Sequence, residues 1–259
     1  MKVVILCGGK GTRLREETEY RPKPMVPIGE YPIVWHIMKT YASYGHKEFI
    51  LCLGYKGDYI RNYFANYRFN TSDTTIRLDQ DGSLEFHNPG QGLDWSITLA
   101  ETGQESMTAY RIKLIEKYLG EDQTFLLTYG DGVSNVDVNA AITQHENSDY
   151  ACTLAAVHPP GRFGELGISG SGVTSFNEKP QTEASYINGG YMVCNRDIFN
   201  YLPEDPGMML EQSPMRDMVK DGKLGVFKHG GFWQPMDTYA EFTYLNRIWN
   251  ENQAPWKIW

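Results

Sequence analysis

The sequence predicts an α/β fold, with a Rossmann-like, mixed and mainly parallel sheet flanked by helices. A continuous β-branched run at Val3–Cys7 ends in glycines, which is typical of a strand buried on both faces of a parallel sheet. Strand and helix patterns then alternate through the first half of the chain. The 259 residues suffice for one large domain with a substantial core, and no linker divides them, so we expect residues 1–259 to form a single domain.

The first elements follow from periodicity and from stop signals. Apolar residues at helical spacing predict a helix over Ile33–Tyr44 that ends at Gly45. Phe49–Leu53 is the next strand, and Asp58 is expected to cap the helix after it. This βαβα order predicts parallel strands joined by right-handed crossovers.

The pattern changes between residues 70 and 105, where we expect an inserted antiparallel β arm. Its predicted strands are Ile76–Leu78, Leu84–Phe86 and Trp95–Leu99, with a turn at Asp81-Gly82. An exposed arm carrying Trp95 suggests that the protein forms a homo-oligomer.

The second half returns to alternating helices and short strands. Helices are predicted over residues 108–119, 138–146, 215–221 and 240–250, and strands over residues 124–128, 151–157 and 191–194, with smaller strands around Gly170-Ser171-Gly172.

Charge and composition exclude several functions. A net charge of −8 and a pI near 5.3 argue against nucleic acid or an anionic membrane as the main partner. No apolar run resembles a signal peptide or a membrane span, so a cytoplasmic protein is expected. The four cysteines are widely separated, and we interpret them as small buried hydrophobes.

A glycine-rich loop follows the first strand and predicts a polyphosphate site. Gly8, Gly9 and Gly11 lack Cβ atoms, so backbone N–H groups can approach phosphate oxygens closely. Positive charge is supplied by Lys10, Arg13 and, in Pro22-Lys23-Pro24, by Lys23. Ligands bind at this carboxyl edge of open α/β sheets.

Two other glycine loops do not fit the spacing. A dinucleotide fingerprint needs a third glycine where Leu14 stands, and Pro22 and Pro24 oppose the long helix that should follow. A Walker A loop needs Ser or Thr after its lysine, whereas Gly11 follows Lys10.

The block from Gly8 to Leu14 with Pro22-Lys23-Pro24-Met25 resembles the sugar-phosphate nucleotidyltransferase family. Further landmarks occur in the family's order along nearly the full chain: Tyr129-Gly130-Asp131-Gly132, Gly161-Arg162-Phe163-Gly164, Glu178-Lys179-Pro180, Asn188-Gly189-Gly190 and Phe232-Trp233-Gln234-Pro235-Met236-Asp237. The ending Ala254-Pro255-Trp256-Lys257 is similar to the subgroup that uses CTP.

This resemblance implies an enzyme that transfers CMP from CTP to α-D-glucose 1-phosphate with Mg²⁺, giving CDP-glucose and pyrophosphate. It also implies a role in deoxysugar and surface-polysaccharide synthesis. Such a displacement needs positioning and positive charge rather than a covalent intermediate, so we assign none of the histidines a catalytic role.

The resemblance assigns the catalytic and metal residues. Arg13 would favour the leaving pyrophosphate and Lys23 the α-phosphate under attack, while Asp131 and Asp237 would hold Mg²⁺. A turn or helix-capping aspartate is the other interpretation of Asp131, and a solvated charge that of Arg13 or Lys23.

The nucleotide side is expected to include the cytosine reader. An arginine fork aimed at the O2 and N3 acceptors prefers cytosine over uracil, and Arg111 is implied in that role. Ala109-Tyr110 replaces the usual pair of glycines beside it, and Arg111 has a solvated helix position as its alternative. The expected nucleotide-binding residues are Leu6, Gly8, Gly9, Gly11, Thr12, Arg13, Lys23, Ser106, Thr108, Arg111 and Gly130.

The second half of the chain, residues 151–259, is expected to hold the sugar phosphate. By resemblance, Lys179 binds its phosphate, Glu178 accepts from its hydroxyls and Trp233 covers its apolar face, unless Trp233 is a core residue. Backbone and amide contacts are expected from Gly164, Asn188, Gly189 and Gly190.

Alternatives of two kinds stay open. The same reaction could use another nucleoside triphosphate, another sugar 1-phosphate or another small phosphorylated acceptor, although the sugar-side motifs favour a sugar. A non-catalytic nucleotide-sugar sensor on the same fold should have lost Lys23 or a metal carboxylate, and both are present.

Overall fold

The computed structural model describes residues 1–79, 82–87, 93–159, 165–169, 171–177 and 186–259. Their strands are β1 (Lys2–Leu6), β2 (Pro27–Ile28), β3 (Tyr31–Pro32), β4 (Glu48–Leu53), β5 (Asp73–Ile76), β6 (Leu84–His87), β7 (Ser96–Glu101), β8 (Thr124–Tyr129), β9 (Gly132–Ser134), β10 (Cys152–Val157), β11 (Glu165–Ser169), β12 (Gly172–Asn177), β13 (Ile187–Asn195), β14 (Leu224–His229) and β15 (Trp233–Pro235).

The longer described helices fall close to the predicted ones, whereas the short helices at 15–18 and 67–71 were not predicted. They are α1 (Arg15–Thr18), α2 (Ile33–Ser43), α3 (Gly57–Ala65), α4 (Tyr67–Thr71), α5 (Thr108–Ile115), α6 (Val138–Glu146), α7 (Ser213–Lys220) and α8 (Tyr239–Asn250), with 3₁₀ turns at Lys23–Met25, Glu116–Tyr118 and Arg196–Tyr201. The prediction for residues 138–146 is confirmed without change.

Seven strands form one sheet in the order β14-β10-β13-β8-β1-β4-β7. β1 pairs in parallel with both β4 and β8, β4 with β7, and β10 with β14. β13 runs antiparallel to its neighbours β10 and β8. This arrangement confirms the predicted mixed, mainly parallel sheet of an α/β protein.

The central strand β1 is covered on both faces, as its continuous apolar run predicts. Val3 and Ile5 pack into one layer with residues of α2, α6 and α8, whereas Val4 and Leu6 face a second layer with α5 and α7. Complete burial of side chains such as Val3, Val4 and Ile5 contributes about 1.5–3 kcal/mol each. The rigid core therefore fixes where β1 ends and the glycine-rich loop begins.

The inserted arm is smaller than predicted. β5 and β6 pair antiparallel, but β7 joins the main sheet in parallel beside β4, so the prediction that Trp95–Leu99 belongs to the antiparallel arm is wrong. Trp95 packs on the sheet with its ring centroid 5.3 Å from that of Phe49. Asp81, in the predicted turn, lies outside the described residues.

Helix ends follow the predicted signals in one case and depart in another. Gly45 adopts φ +90°, the left-handed conformation expected after the end of α2. Asp58 does not cap α3: the capping position is Lys56 at φ 50°, and it makes no side-chain capping hydrogen bond. Asp58 lies instead in the first turn, where its negative charge favours the helix dipole.

Candidate active site

Asp131 and Asp237 are brought together by a short two-stranded ladder. β9 begins directly after Asp131, and β15 ends two residues before Asp237. The two strands pair antiparallel, and the Met236 N–H donates to the Asp131 carbonyl over 2.8 Å. The carboxylates of two remote segments therefore lie at the same carboxyl edge of the sheet.

A lysine occupies the space between these carboxylates. Lys23 is 6% exposed; its ammonium donates to Asp131 Oδ2 over 2.6 Å and also to Asp237 Oδ1. Burial alone lowers the pKa of Lys23, but the two carboxylates outweigh it, so this pKa is raised. Arg13 pairs with the other oxygen of Asp237 at 2.7 Å, and its side chain is mostly exposed.

The glycines of the loop serve different purposes. Gly9 has no heavy atom within 4 Å of a Cβ built on it, so the open space beside it can admit a ligand. Gly11 adopts φ +63° and packs against Thr18 and Lys23, which ties the loop to the lysine. A Cβ on Gly8 would lie 2.2 Å from the Arg111 guanidinium, so Gly8 leaves room for that side chain.

Arg111 is buried beneath the glycine-rich loop rather than solvated. It is 3% exposed, and burial lowers the pKa of its guanidinium. Its terminal nitrogens donate to the carbonyl oxygens of Gly8, Leu53, Gly103 and Gln104 and to Thr102 Oγ1. The guanidinium thus joins the loop, the end of β4 and the segment after β7. Reading cytosine would require it to exchange some of these acceptors.

The predicted nucleotide residue Thr108 begins α5 and contacts a glutamate that sequence reasoning missed. Thr108 Oγ1 donates to Glu211 Oε2 over 3.1 Å, and the second oxygen of Glu211 accepts from the Tyr129 hydroxyl. Burial and then the Glu211 charge raise the pKa of Tyr129. Ser106 stands two residues before Thr108 and is half-buried.

A cleft of about 60 Å³ opens beside Asp131 on the predicted sugar side. Asn188, Gly189, Gly190 and Trp233 line it, together with Tyr129. The Trp233 indole N–H donates to the Gly189 carbonyl over 2.7 Å, so this ring braces the cleft wall while it packs against the core.

The remaining predicted residues have simpler surroundings. Leu6 is buried and its carbonyl accepts from the Gly130 N–H over 3.1 Å, which joins the ends of β1 and β8. Thr12 is exposed at the loop. Gly164, Glu178 and Lys179, with the motifs around them, lie outside the described residues.

Asp237 is held by a helix cap that sequence reasoning also missed. Glu241 Oε2 accepts from the backbone N–H of Thr238 over 2.8 Å and from that of Asp237 over 2.7 Å. Thr238 and Glu241 form a capping box at the start of α8. The Thr-x-x-Glu spacing is a sequence signal that could have identified it.

Paired carboxylates, a buried lysine and an open glycine loop meet at the carboxyl edge of the sheet, which is the edge where ligands bind in open α/β proteins. A sequence model of the nucleotidyl transferase family matches residues 2–237. The chain belongs to this family.

Two curated relatives align with this chain over its whole length. Glucose-1-phosphate cytidylyltransferase of Salmonella typhi is 46% identical over 259 residues, which cover 100% of both chains. Probable glucose-1-phosphate cytidylyltransferase of Bacillus subtilis (strain 168) is 43% identical, again over 100% of both chains.

A solved structure shares the fold. HddC from Yersinia pseudotuberculosis, complexed with GMP-PN, superposes with a TM-score of 0.68 at 23% identity, covering 96% of this chain and 99% of its own. In the described part of the chain, every helix is too short or too polar to cross a bilayer.

Proposed function

We propose that this protein transfers CMP from CTP to α-D-glucose 1-phosphate and releases pyrophosphate. The observation that carries the proposal is the 46% identity to the Salmonella typhi glucose-1-phosphate cytidylyltransferase over the full length of both chains. The Lys23, Asp131 and Asp237 cluster supports it, because it places groups suited to phosphoryl chemistry at one edge of the sheet.

In the proposed reaction, an oxygen of the sugar phosphate attacks the α-phosphorus while pyrophosphate leaves in line. Repulsion between anions is the obstacle, so the protein contributes position and positive charge. Lys23 supplies its charge at the α-phosphate. Arg13, exposed above Asp237, reaches the leaving pyrophosphate.

Members of this family generally use a divalent metal ion. Asp131 and Asp237 suit magnesium as that ion. Their oxygens converge on one point, where the Lys23 ammonium now lies as a cation between them. No group of three or more Asp, Glu, His or Cys side chains able to hold a metal occurs among the described residues. Two carboxylates with substrate phosphates and water are the ligands Mg²⁺ commonly takes, and the ion would neutralise charge on the α-phosphate.

We place glucose 1-phosphate in the cleft lined by Asn188, Gly189 and Gly190. The cleft borders Asp131, so an acceptor held there lies beside the site of attack. Glu178 is proposed to accept from sugar hydroxyls and Lys179 to bind the phosphate, with Gly164 near the sugar. Trp233 shapes the wall through its bond to Gly189.

Cytosine is proposed to lie over the loop with Leu6, Thr12 and Ser106 nearby. Arg111 donates to the base after releasing Gly103 and Gln104, whose segment is partly exposed. We also propose that the enzyme is a cytoplasmic homo-oligomer. The free, buried state of all four cysteines fits a reducing compartment.

The test is pyrophosphate release over a grid of nucleoside triphosphates and sugar 1-phosphates with Mg²⁺. The highest kcat/KM should occur with CTP and α-D-glucose 1-phosphate, and CDP-glucose should appear in equal amount. A higher value with another pair would change the assigned substrates. Tight nucleotide-sugar binding without turnover on any pair would make the protein a sensor.

A further inference from the structure

Glu211 lies in the loop before α7, between two parts of the proposed site. One carboxylate oxygen accepts from the Tyr129 hydroxyl and the other accepts from Thr108 Oγ1 over 3.1 Å. Tyr129 ends β8 and Thr108 begins α5, so one half-buried side chain bridges two elements from a loop that is remote from both in sequence.

The Tyr129 end of this bridge reaches the cleft in which we place glucose 1-phosphate, called here the acceptor cleft. Tyr129 lines the cleft together with Gly190. A Cβ built on Gly190 would lie 2.6 Å from the Tyr129 ring, so ring and backbone are in close contact. The hydroxyl bond to Glu211 therefore fixes the ring that shapes one side of the cleft.

The Thr108 end reaches the loop beside the glycine-rich segment. Thr108 Oγ1 also accepts from the Leu210 N–H over 2.7 Å, and the Met107 N–H donates to the Pro206 carbonyl over 2.8 Å. The preceding residues contact the glycine loop, since Glu105 pairs with Lys10 at 2.8 Å. The loop that carries Glu211 thus holds in place the start of α5 and the residues just before it, 103–107, called here the base-side loop.

We propose that Glu211 is a positioning residue that sets the acceptor cleft and the base-side loop at a fixed separation. The carboxylate touches no reacting atom. It acts through Tyr129 on the sugar phosphate and through Thr108 on the nucleotide. This inference rests on the proposed function for the identity of the two substrates.

Glu211→Ala is expected to raise KM for glucose 1-phosphate and for CTP about tenfold each, as the loss of a partly buried hydrogen bond at each end implies, with kcat less affected. Tyr129→Phe should raise KM only for glucose 1-phosphate, and Thr108→Val only for CTP. Glu211→Gln should restore both values, because an amide can accept from Tyr129 and donate to Thr108.

Double variants separate positioning from direct contact. Adding Tyr129→Phe to Glu211→Ala should raise KM for glucose 1-phosphate no further, because the Tyr129 hydroxyl has already lost the carboxylate to which it donates. Glu204→Ala is the matched control, since Glu204 is an exposed glutamate in the same loop, 4.0 Å from Lys113. It should leave both KM values unchanged.

Calorimetric titration of CTP with Mg²⁺ and no acceptor gives a readout that does not depend on turnover. Weaker CTP binding in Glu211→Ala, with the melting temperature of the wild type, supports the proposal even if the substrate pair proves different. Unchanged KM values and unchanged CTP binding in this variant would overturn it, as would additive effects in the double variant. If Glu211→Ala does not fold, Tyr129→Phe and Thr108→Val decide the matter by their separate KM effects.

Discussion

At the scale of single residues, the site is organised by a cation that the protein itself provides. Lys23 lies between Asp131 and Asp237, and Arg13 contacts Asp237 from the solvent side. Without a cation between them, these carboxylates would repel one another. Under the proposed function, the same carboxylates would hold the metal and the lysine would contact a phosphate.

Asp131→Asn and Asp237→Asn should each lower kcat by at least a hundredfold, because each removes charge from the proposed metal site. Mg²⁺ titration of the rate measures the effect. Asp122→Asn is a matched control: Asp122 has the same 35% exposure as Asp131 but pairs with Lys2 instead. Near-normal Mg²⁺-dependent turnover in either variant would remove that residue from the site.

Lys23→Met should lower kcat more than it raises KM, since its charge acts on the α-phosphate as the transition state forms. It should also reduce the free energy of unfolding by about 1–3 kcal/mol, because the partly exposed Asp131 loses this partner and Asp237 keeps only its pair with Arg13.

The pH dependence of this stability difference follows from the raised pKa of Lys23. The charge of Lys23 contributes fully to folding stability below the ordinary lysine pKa of 10.5. This contribution is lost as pH rises through the higher pKa of Lys23 in the folded protein. Urea unfolding of wild type and Lys23→Met between pH 8 and 11.5 should show a difference that shrinks only above about pH 10. A constant difference across that range would contradict the linkage.

At the scale of elements, short junctions place the functional residues. The β9–β15 ladder brings Asp131 beside Asp237, and the first turn of α8 holds the Asp237 backbone. Sequence patterns predicted the longer helices and most strands of the main sheet but not the partner of β7, because periodicity does not report which strand lies alongside. The Glu211 contacts likewise depend on packing between remote segments.

Glu241→Ala should lower both stability and activity. Losing the cap costs about 1 kcal/mol of unfolding free energy, and Asp237 loses the acceptor of its N–H. Thr238→Ala is the control, because it removes the other half of the capping box and leaves the Asp237 contact in place. Equal activity in the two variants at equal stability would show that the cap does not position Asp237.

The buried His36 in α2 is expected to make the stability of the fold decrease at acid pH. Burial lowers the pKa of His36 to about 4; its Nε2 lies 2.9 Å from the Ile28 carbonyl, and Nδ1 accepts from the Trp256 indole. Because the unfolded chain binds a proton that the folded chain does not, stability falls by up to about 1.4 kcal/mol per pH unit between pH 6.5 and 4.

Denaturant unfolding between pH 4 and 7.5 measures this slope. His36→Gln should flatten it, whereas exposed His87→Gln should keep the wild-type profile. Identical slopes in wild type and His36→Gln would show that other groups control acid unfolding.

At the scale of the whole molecule, the sequence predicted the α/β sheet because buried strands and alternating helices leave a local periodic trace. It also placed Lys23, Asp131 and Asp237 in one site, and the structure brings them together. The surroundings of Arg111 could not be predicted in the same way. Its five acceptors come from segments that meet only in the folded chain, and Gly54, which makes room for it, has no distinctive sequence context.

Substitution of Arg111 tests the proposal that it recognises the base. If its guanidinium donates to cytosine O2 and N3, Arg111→Ala should cost about 1–3 kcal/mol in kcat/KM for CTP and leave UTP little changed. Gly54→Ala should act in the same direction, because a Cβ there would lie 2.5 Å from the guanidinium and displace it. Gly230→Ala is the control, since a Cβ at that position meets no heavy atom within 4 Å. The comparison uses kcat/KM for both nucleotides in each variant. An equal loss for CTP and UTP would show that Arg111 only supports the loop through Gly8 and Gly103, and cytosine selection would then need another source.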